Sequence, residues 1–357
     1  MTYPETALTK IKDGSDPINY PDTNWWNAVA KDWATNTEHS LAISGGNEKI
    51  FFYSSAQYMY QDVIYKNSPQ NYNQYQFSTN LDAKITKAIK FGFDILGRQT
   101  VDNRGVRTTE DLFSYFLTTS PMSAPYYPNG LLRTGYDGIT NNAVLMVSDL
   151  PGTSKTTNNT LNLKPKIRID LDVITPGLYA EGYAALDYTF NNGKTTNTSY
   201  DIYSYDSVSG EYTNQRDATG SVSVSSWSSN SSSITLNVRI GYSHLFNNAH
   251  QINAFVAYEQ NKYHYNYLYG YRTNFVSSAL PDLDYGSTDK TNQSNSGNSN
   301  ETARQNWFGR VNYGYKDKYL AEVTLRYDGS MNFAPGHRVG SFSGFIGRLG
   351  YLRRELF

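Results

Sequence analysis

Apolar and charged side chains alternate along several stretches of the chain, most clearly between residues 163 and 173. Five odd-numbered positions are apolar: Leu163, Ile167, Ile169, Leu171 and Val173. The even-numbered positions are all charged: Lys164, Lys166, Arg168, Asp170 and Asp172. Because side chains point to alternate faces of a β-strand, this period of two predicts a strand with one apolar face and one face in water.

The same alternation recurs along the chain and predicts an all-β fold of eleven strands. Most predicted strands are about ten residues long, the length that a tilted strand needs to cross a bilayer. Short connections such as 45–48 alternate with long ones such as 100–159. This alternation is typical of antiparallel up-and-down membrane barrels, which have short periplasmic turns and long outer loops. The predicted strands are 38–44, 49–61, 72–85, 89–99, 161–173, 178–190, 233–243, 251–262, 307–315, 320–327 and 342–352.

The charged face of the strand at 163–173 indicates how it is oriented in such a barrel. An Arg or Lys that faces lipid at the bilayer midplane costs about 2–4 kcal/mol. Three cations on one face therefore predict that Lys164, Lys166, Arg168, Asp170 and Asp172 face the lumen. Thr175-Pro176-Gly177 would then form a periplasmic turn.

Composition restricts the function further. The chain has 357 residues, no Cys, 32 Tyr and a net charge of -1. The lack of Cys excludes disulfides and Cys-ligated metals. No basic stripe with interleaved aromatic residues is present, so nucleic acid is not an expected partner. No apolar run reaches the roughly 18 residues of a membrane helix, so a membrane span would have to consist of strands.

Catalytic, cofactor and metal motifs are absent or incomplete, and the sequence predicts no enzyme. The segment 340–344 resembles a nucleophile elbow, but Phe342 stands where the Ser is required. None of the five His has a helical i, i+4 partner. Asp282, Asp284 and Asp289 do not have EF-hand spacing, and calcium in the loops is left open.

Five tyrosines alternate between residues 263 and 271: Tyr263, Tyr265, Tyr267, Tyr269 and Tyr271. Two interpretations stay open. The rings could form an aromatic girdle at the membrane surface, or a surface on which sugar rings or peptides stack. The strand register decides between them, because Ile252, Ala254 and Val256 direct the even-numbered positions toward lipid unless a bulge intervenes.

Several short motifs, taken in order, resemble SusC/RagA-like TonB-dependent outer-membrane transporters. They are residues 22–26 (DTNWW), 41–49 (LAISGGNEK), 308–313 (FGRVNY), 315–320 (YKDKYL), 325–330 (LRYDGS) and 333–336 (FAPG). Each motif is weak alone, but the order is specific and the resemblance covers nearly the whole chain. The segment after Gly340 departs from the family pattern, since Phe342-Ser343 lacks the usual Pro.

The resemblance implies the N-terminal half of a 22-stranded transmembrane barrel in the Gram-negative outer membrane. Residues 1–36 would join a plug region to the barrel, 37–352 would form the partial barrel wall, and 353–357 would be a truncated end. The implied activity is import of oligosaccharides or peptides together with a SusD-like surface lipoprotein. TonB-ExbB-ExbD would act through an N-terminal part and plug domain that this chain lacks, and that plug would hold the ion partners of the charged face.

Candidate ligand contacts are aromatic and amide side chains outside the predicted membrane band. They are Tyr126, Tyr127 and Asn129 in the first long loop, Trp227, and Tyr265, Tyr267 and Tyr269. The alternative function is a secreted all-β carbohydrate-binding protein or adhesin. The two differ in a visible feature, because only a transporter needs an outward apolar band flanked by aromatic residues.

Overall fold

The computed structural model describes residues 4–107, 112, 114–115, 118–135, 142–216, 220–316 and 318–349. Eleven strands form one antiparallel sheet, with a small two-stranded hairpin, β7–β8, beside it. The strands are β1 (Asn36–Gly46), β2 (Ile50–Asp62), β3 (Asn71–Lys84), β4 (Ile89–Gly105), β5 (Gly152–Asp170), β6 (Leu178–Asn197), β7 (Tyr203–Tyr205), β8 (Tyr212–Asn214), β9 (Ser223–Phe246), β10 (His250–Thr273), β11 (Gln293–Tyr315), β12 (Tyr319–Ser330) and β13 (Val339–Leu349). The helices are α1 (Glu5–Asp13), α2 (Trp25–Val29) and α3 (Ala143–Val147).

The predicted all-β, up-and-down order of eleven strands is confirmed. Each strand of the main sheet pairs with the next one along the chain, β6 pairing with β9 across the hairpin. The short connections 47–49, 85–88, 171–177, 247–249 and 316–318 alternate with the long ones 63–70, 106–151, 198–222, 274–292 and 331–338. All short connections therefore lie on one rim and all long ones on the other. No described helix is long and apolar enough to cross a membrane.

Each strand pair keeps a single register along its whole length, so side chains stay on one face. In one row of paired residues, Ile169 lies between Ile89 and Ala180. The row continues from Ala180 through Ile240 to Val256. The neighbouring row on the opposite face runs from Lys90 through Arg168 and Glu181 to Arg239. The sheet thus has one apolar face and one polar face.

Among the residues that the structure describes, no second layer covers the central part of the apolar face. Val238 and Ile240 are each 58% exposed, and Val256 is 62% exposed. Aromatic rings line both margins of this band. Ring pairs at the margin toward the long loops are Tyr58–Tyr75 at 5.1 Å and Tyr258–Trp307 at 4.8 Å. Pairs near the short-turn rim are His244–Phe246 at 4.5 Å and Tyr315–Tyr319 at 6.3 Å.

Strands β9, β10 and β11 are 24, 24 and 23 residues long, about twice what a bilayer requires. Their extra length lies at the long-loop rim. There the apolar face becomes polar, with Ser232, Asn230 and Ser228 following Ile234 on β9. The strand predicted at 307–315 therefore begins much earlier, at Gln293.

The hydrophobic core lies outside the sheet, in a layer formed by the long loops. Trp25 and Val29 of α2 pack with Tyr65, Met146 and Val147. The Trp25 indole Nε1 donates a hydrogen bond to the Ser120 carbonyl at 2.9 Å. Residues 1–36 are predicted as a link to a plug, and α2 of this segment lies against the long-loop rim. The predicted end segment, 353–357, is outside the described residues.

Candidate ligand-facing surface

The short-turn half of the polar face carries a network of ion pairs. On β4 and β5, Lys166 Nζ lies 3.1 Å from Asp94 Oδ2. Lys90 Nζ lies 2.8 Å from Asp170 Oδ2. Both pairs are diagonal contacts between adjacent strands, because the register sets Lys166 opposite Gly92 and Lys90 opposite Arg168.

The network continues across β6 and β9. Glu181 is shared by two guanidinium groups, since Arg168 Nη1 lies 3.2 Å from its Oε2 and Arg239 pairs with its Oε1. Lys164 Nζ lies 4.5 Å from the centre of the Tyr183 ring. The Tyr183 hydroxyl in turn donates to Glu259 Oε2 at 3.3 Å.

Two sequence-based expectations about this face need correction. The ion partners of Lys166, Arg168 and Asp170 were expected in a plug domain, but they lie on neighbouring strands of the same sheet. Asp172 was placed on the strand, but β5 ends at Asp170. Asp172 lies in the following turn, where its carboxylate accepts a hydrogen bond from the Gly177 N–H at 2.7 Å.

The charged half of the polar face also lines a cavity of about 790 Å³. Basic side chains outnumber acidic ones around it. The cations are Lys49, Lys84, Lys90, Lys164, Lys166, Arg168 and Arg239, and the acids are Glu48, Asp82, Glu181 and Glu259. The charged groups around the cavity are thus mainly basic.

The tyrosines at 263–271 lie within β10 rather than in a loop. Pairing of β10 with β9 and β11 is continuous from end to end, with no bulge. The five rings therefore share the polar face with Glu259, which points to the cavity. This register does not support a lipid-facing girdle formed by these rings.

Trp227 on β9 joins this group. Its ring centre lies 6.5 Å from that of Tyr267. The indole also lies over Gly193 of β6, where a Cβ atom would come within 2.2 Å of the indole nitrogen. Two of the predicted ligand contacts are therefore in contact with each other, and a glycine makes room for the larger one.

The candidates in the first long loop lie in a different environment. Tyr127 is buried, and its ring packs 5.0 Å from the Tyr212 ring, with Arg133 above it. The Asn129 side chain accepts a hydrogen bond from the Leu131 N–H, which stabilises a turn. Tyr126 is 46% exposed. Within the described part of the chain, no hydrogen bond or ring contact joins these three residues to the tyrosines of β10.

Sequence reasoning missed the polar residues that flank the tyrosines. Ser229, Ser231 and Ser233 of β9 pair with Tyr267, Tyr265 and Tyr263. A signal was present, because serine recurs at every second position there. No cluster of three acidic or His side chains suited to a metal occurs among the residues that the structure describes.

Comparison with known proteins identifies relatives along nearly the whole chain. TonB-dependent receptor P3 of Formosa agariphila is 26% identical over 336 residues, which is 90% of this chain and 31% of the relative. TonB-dependent receptor P26 of the same organism is 24% identical over 340 residues, 91% of this chain and 31% of the relative. The chain thus spans about a third of the length of these relatives. No family model matches the chain.

Solved structures give the same fold. A chain in the structure of the RagAB peptide transporter superposes on 93% of this chain with a TM-score of 0.74 and 19% identity, over 36% of its own length. The RagAB peptide importer in its open-open state gives a TM-score of 0.74 over 91% of this chain and 35% of that chain. The eleven strands thus have the fold of part of a transporter barrel. The named relatives are receptors rather than enzymes. The chain is homologous to TonB-dependent receptors, proteins of the Gram-negative outer membrane.

Proposed function

We propose that the chain forms about half of the membrane-spanning wall of a TonB-dependent transporter, with residues 37–352 as the wall. The transporter imports glycans or peptides and works with a SusD-like surface lipoprotein. Residues 1–36 act as a lead-in segment and 353–357 as an end segment. TonB-ExbB-ExbD supplies energy through another part of the full-length protein.

The single observation that carries this proposal is the apolar face of the sheet. Val238, Ile240 and Val256 are each more than half exposed, and rows of aromatic rings border them on both sides. In water such a band would be an unstable surface, whereas in a bilayer it faces lipid tails and the rings occupy the two interfaces. A secreted adhesin has no use for this surface.

The polar face supports a lumen. A charged side chain that faces lipid destabilises the protein. In agreement with this, Lys164, Lys166, Arg168 and Asp170 all lie on the face opposite the apolar band. Asp94, Glu181 and Lys90 pair with Lys166, Arg168 and Asp170, and Lys164 lies over the Tyr183 ring. A wet, ion-paired inner wall suits passage of a hydrophilic solute.

The choice of partner and cargo is supported by the relatives. The structures with the same fold are described as a peptide transporter and a peptide importer, and the sequence relatives are named as TonB-dependent receptors. Glycans are supported by the tyrosines of β10, whose rings offer stacking surfaces.

The test uses the complete gene that contains this sequence, in its source bacterium. Deletion should abolish growth on one polymer class, and growth should return with the intact gene but not when TonB is also deleted. The protein should fractionate with the outer membrane and require detergent for extraction. Recovery as a detergent-free soluble monomer would contradict the proposal, and so would growth unaffected by deletion on every glycan and peptide tested.

A further inference from the structure

The polar face is divided into two zones along the strand direction. Below, near the short turns, it is charged. Above the row that contains Asp187 and Tyr263, every residue on this face of β5, β6, β9, β10 and β11 is uncharged. The positions are even numbers 154–160 and 294–300 and odd numbers 189–197, 223–231 and 265–273, occupied by Ser, Thr, Asn, Gly, Tyr and Trp.

Charged side chains are absent from only one face of these strand segments. The opposite face of the same strands, at the same height, carries charged groups: Lys155, Lys194, Lys262, Arg272 and Glu301. Lys262 and Glu301 pair there at 2.5 Å. At this height charged side chains occur on one face of the strands and not on the other. This difference indicates that the uncharged face is a binding surface and not merely a face in water.

The aromatic groups of this zone have free polar atoms. No hydrogen bond to another described residue is made by the hydroxyls of Tyr263, Tyr265, Tyr267, Tyr269 and Tyr271 or by the indole nitrogen of Trp227. The flanking side chains, by contrast, bond to each other, as in Thr189–Ser231 at 2.5 Å and Asn261–Ser233 at 2.9 Å. The rings are therefore flanked by polar side chains that bond to each other, and the tyrosine hydroxyls and the indole N–H are available to a ligand.

The long loop between β10 and β11 leaves this face open. Leu283 of that loop packs with Val222, Val224 and Phe275. Lys194 on the outer face of β6 pairs with Asp282 of the loop at 2.7 Å. Because Val224 and Lys194 lie on the face opposite the tyrosines, the loop folds over the outside of the strand tips.

We propose that this surface, the tyrosine track (Trp227 and the five tyrosines 263–271), binds a neutral oligosaccharide along the wall above the membrane. This rests on the proposed function for its position and deepens it by naming the ligand. Sugar rings present flat C–H faces to aromatic rings and hydroxyl edges to hydroxyl and amide groups. A peptide would bring charged termini and side chains, and the residues of β9 and β11 that pair with the five tyrosines offer no counter-charge for them. Asp187 of β6 lies in the row of Tyr263, at the lower end of the track.

The track is tested on the full-length transporter in detergent. Binding of maltohexaose, cellohexaose and xylohexaose is measured by calorimetry and by Trp227 fluorescence, with Trp227→Phe identifying the signal. One of these sugars should bind, and Tyr267→Ala should weaken it about tenfold, since an aromatic contact contributes about 0.5–1.5 kcal/mol. Tyr267→Phe should keep most of the affinity because it keeps the ring. Tyr285→Ala, an exposed tyrosine of the loop outside the strand tips, is the control without effect.

Retained heat-modifiable mobility on gels shows that each variant is folded. Unchanged oligosaccharide affinity in the folded Tyr267→Ala variant would overturn the proposal that the tyrosine track is the binding site. Binding of casein-derived peptides in place of every sugar, with loss in Tyr267→Ala, would overturn the ligand class. No binding of either by a protein that still supports TonB-dependent growth would overturn this inference while leaving the proposed transport function standing.

Discussion

The indole ring of Trp227 on β9 lies directly over the α-carbon of Gly193 on β6. A Cβ atom at position 193 would come within 2.2 Å of the indole nitrogen. The strand pairing places the two residues directly opposite each other, so the backbone gives no freedom to separate them. Gly193 is therefore the residue that sets the height of the Trp227 ring above the sheet.

Gly193→Ala should displace the Trp227 ring and shift its fluorescence, with a cost in stability of about 1–3 kcal/mol from overpacking. Gly97→Ala is the matched control, because Gly97 also lies within a strand but nothing lies within 4 Å of the added methyl group. Emission spectra and thermal unfolding of both variants check the prediction. Equal spectra in the two variants would contradict it.

Glu181 bridges Arg168 and Arg239 and is the centre of the ion-pair network. Its side chain is 19% exposed, so water screens it only in part. Glu181→Gln should lower the free energy of unfolding by about 1–3 kcal/mol, because two guanidinium groups lose their shared carboxylate. Thermal unfolding in detergent measures the change.

The control for this prediction is Glu301→Gln. Glu301 pairs with Lys262, but its side chain is 49% exposed. An exposed pair contributes no more than about 1 kcal/mol, so this variant should stay close to the parent protein. If both variants lose the same stability, the shared bridge is no stronger than a surface ion pair.

The fold was predictable where the two sides of a strand meet different solvents. Between Ile89 and Leu186 apolar residues that face lipid alternate with polar residues that face the lumen. This alternation made the strands of that region predictable. Beyond the membrane neither face of β9 and β11 meets lipid, so residues 223–233 and 293–301 show no hydrophobic period. The ends of β9 and β11 are extended because they pair with β10, and this pairing cannot be predicted from a single sequence.

The candidate surface was predictable only in part for a related reason. Tyr265, Tyr267 and Tyr269 share a face because period two fixes it, and Trp227 joins them only through the register of β9 on β10. Tyr127 and Asn129 look like ligand contacts in sequence. The burial of Tyr127 depends on loop packing against Tyr212, which no local pattern encodes. The bond from the Leu131 N–H to Asn129 is a local turn, which an Asn followed by Gly favours.

Val256 lies in the middle of the apolar band, and Leu268 lies on the same face of the same strand above it. They are 62% and 66% exposed, so burial does not distinguish them. Val256→Arg should cost about 2–4 kcal/mol and reduce the amount of folded protein in the outer membrane. Leu268→Arg should be tolerated, because its position is in water.

Quantitative blotting of outer-membrane fractions checks this pair. A loss confined to Val256→Arg places the lipid boundary between the two positions. Equal loss in both variants would extend the membrane to the strand tips, and equal tolerance would contradict a lipid-facing sheet.

Burial raises the pKa of Tyr127, which lies in the loop layer outside the membrane band. The folded protein therefore holds this proton more tightly than the unfolded chain does. Below the ordinary tyrosine pKa of about 10 both states keep the proton and pH has no effect. Above it the unfolded chain ionises first, so the loop layer loses stability as pH rises toward the folded-state pKa.

Tyr127→Phe should flatten this alkaline loss, because the variant has no proton to release. Removing the hydroxyl could weaken the loop layer at every pH, so the slope of stability against pH is the quantity to compare. Limited proteolysis of the loops across the alkaline range measures it. Tyr126→Phe is the control, since it removes the same hydroxyl group from the neighbouring tyrosine, which is 46% exposed. A slope that is the same in both variants would show that Tyr127 does not control the alkaline stability of the loops.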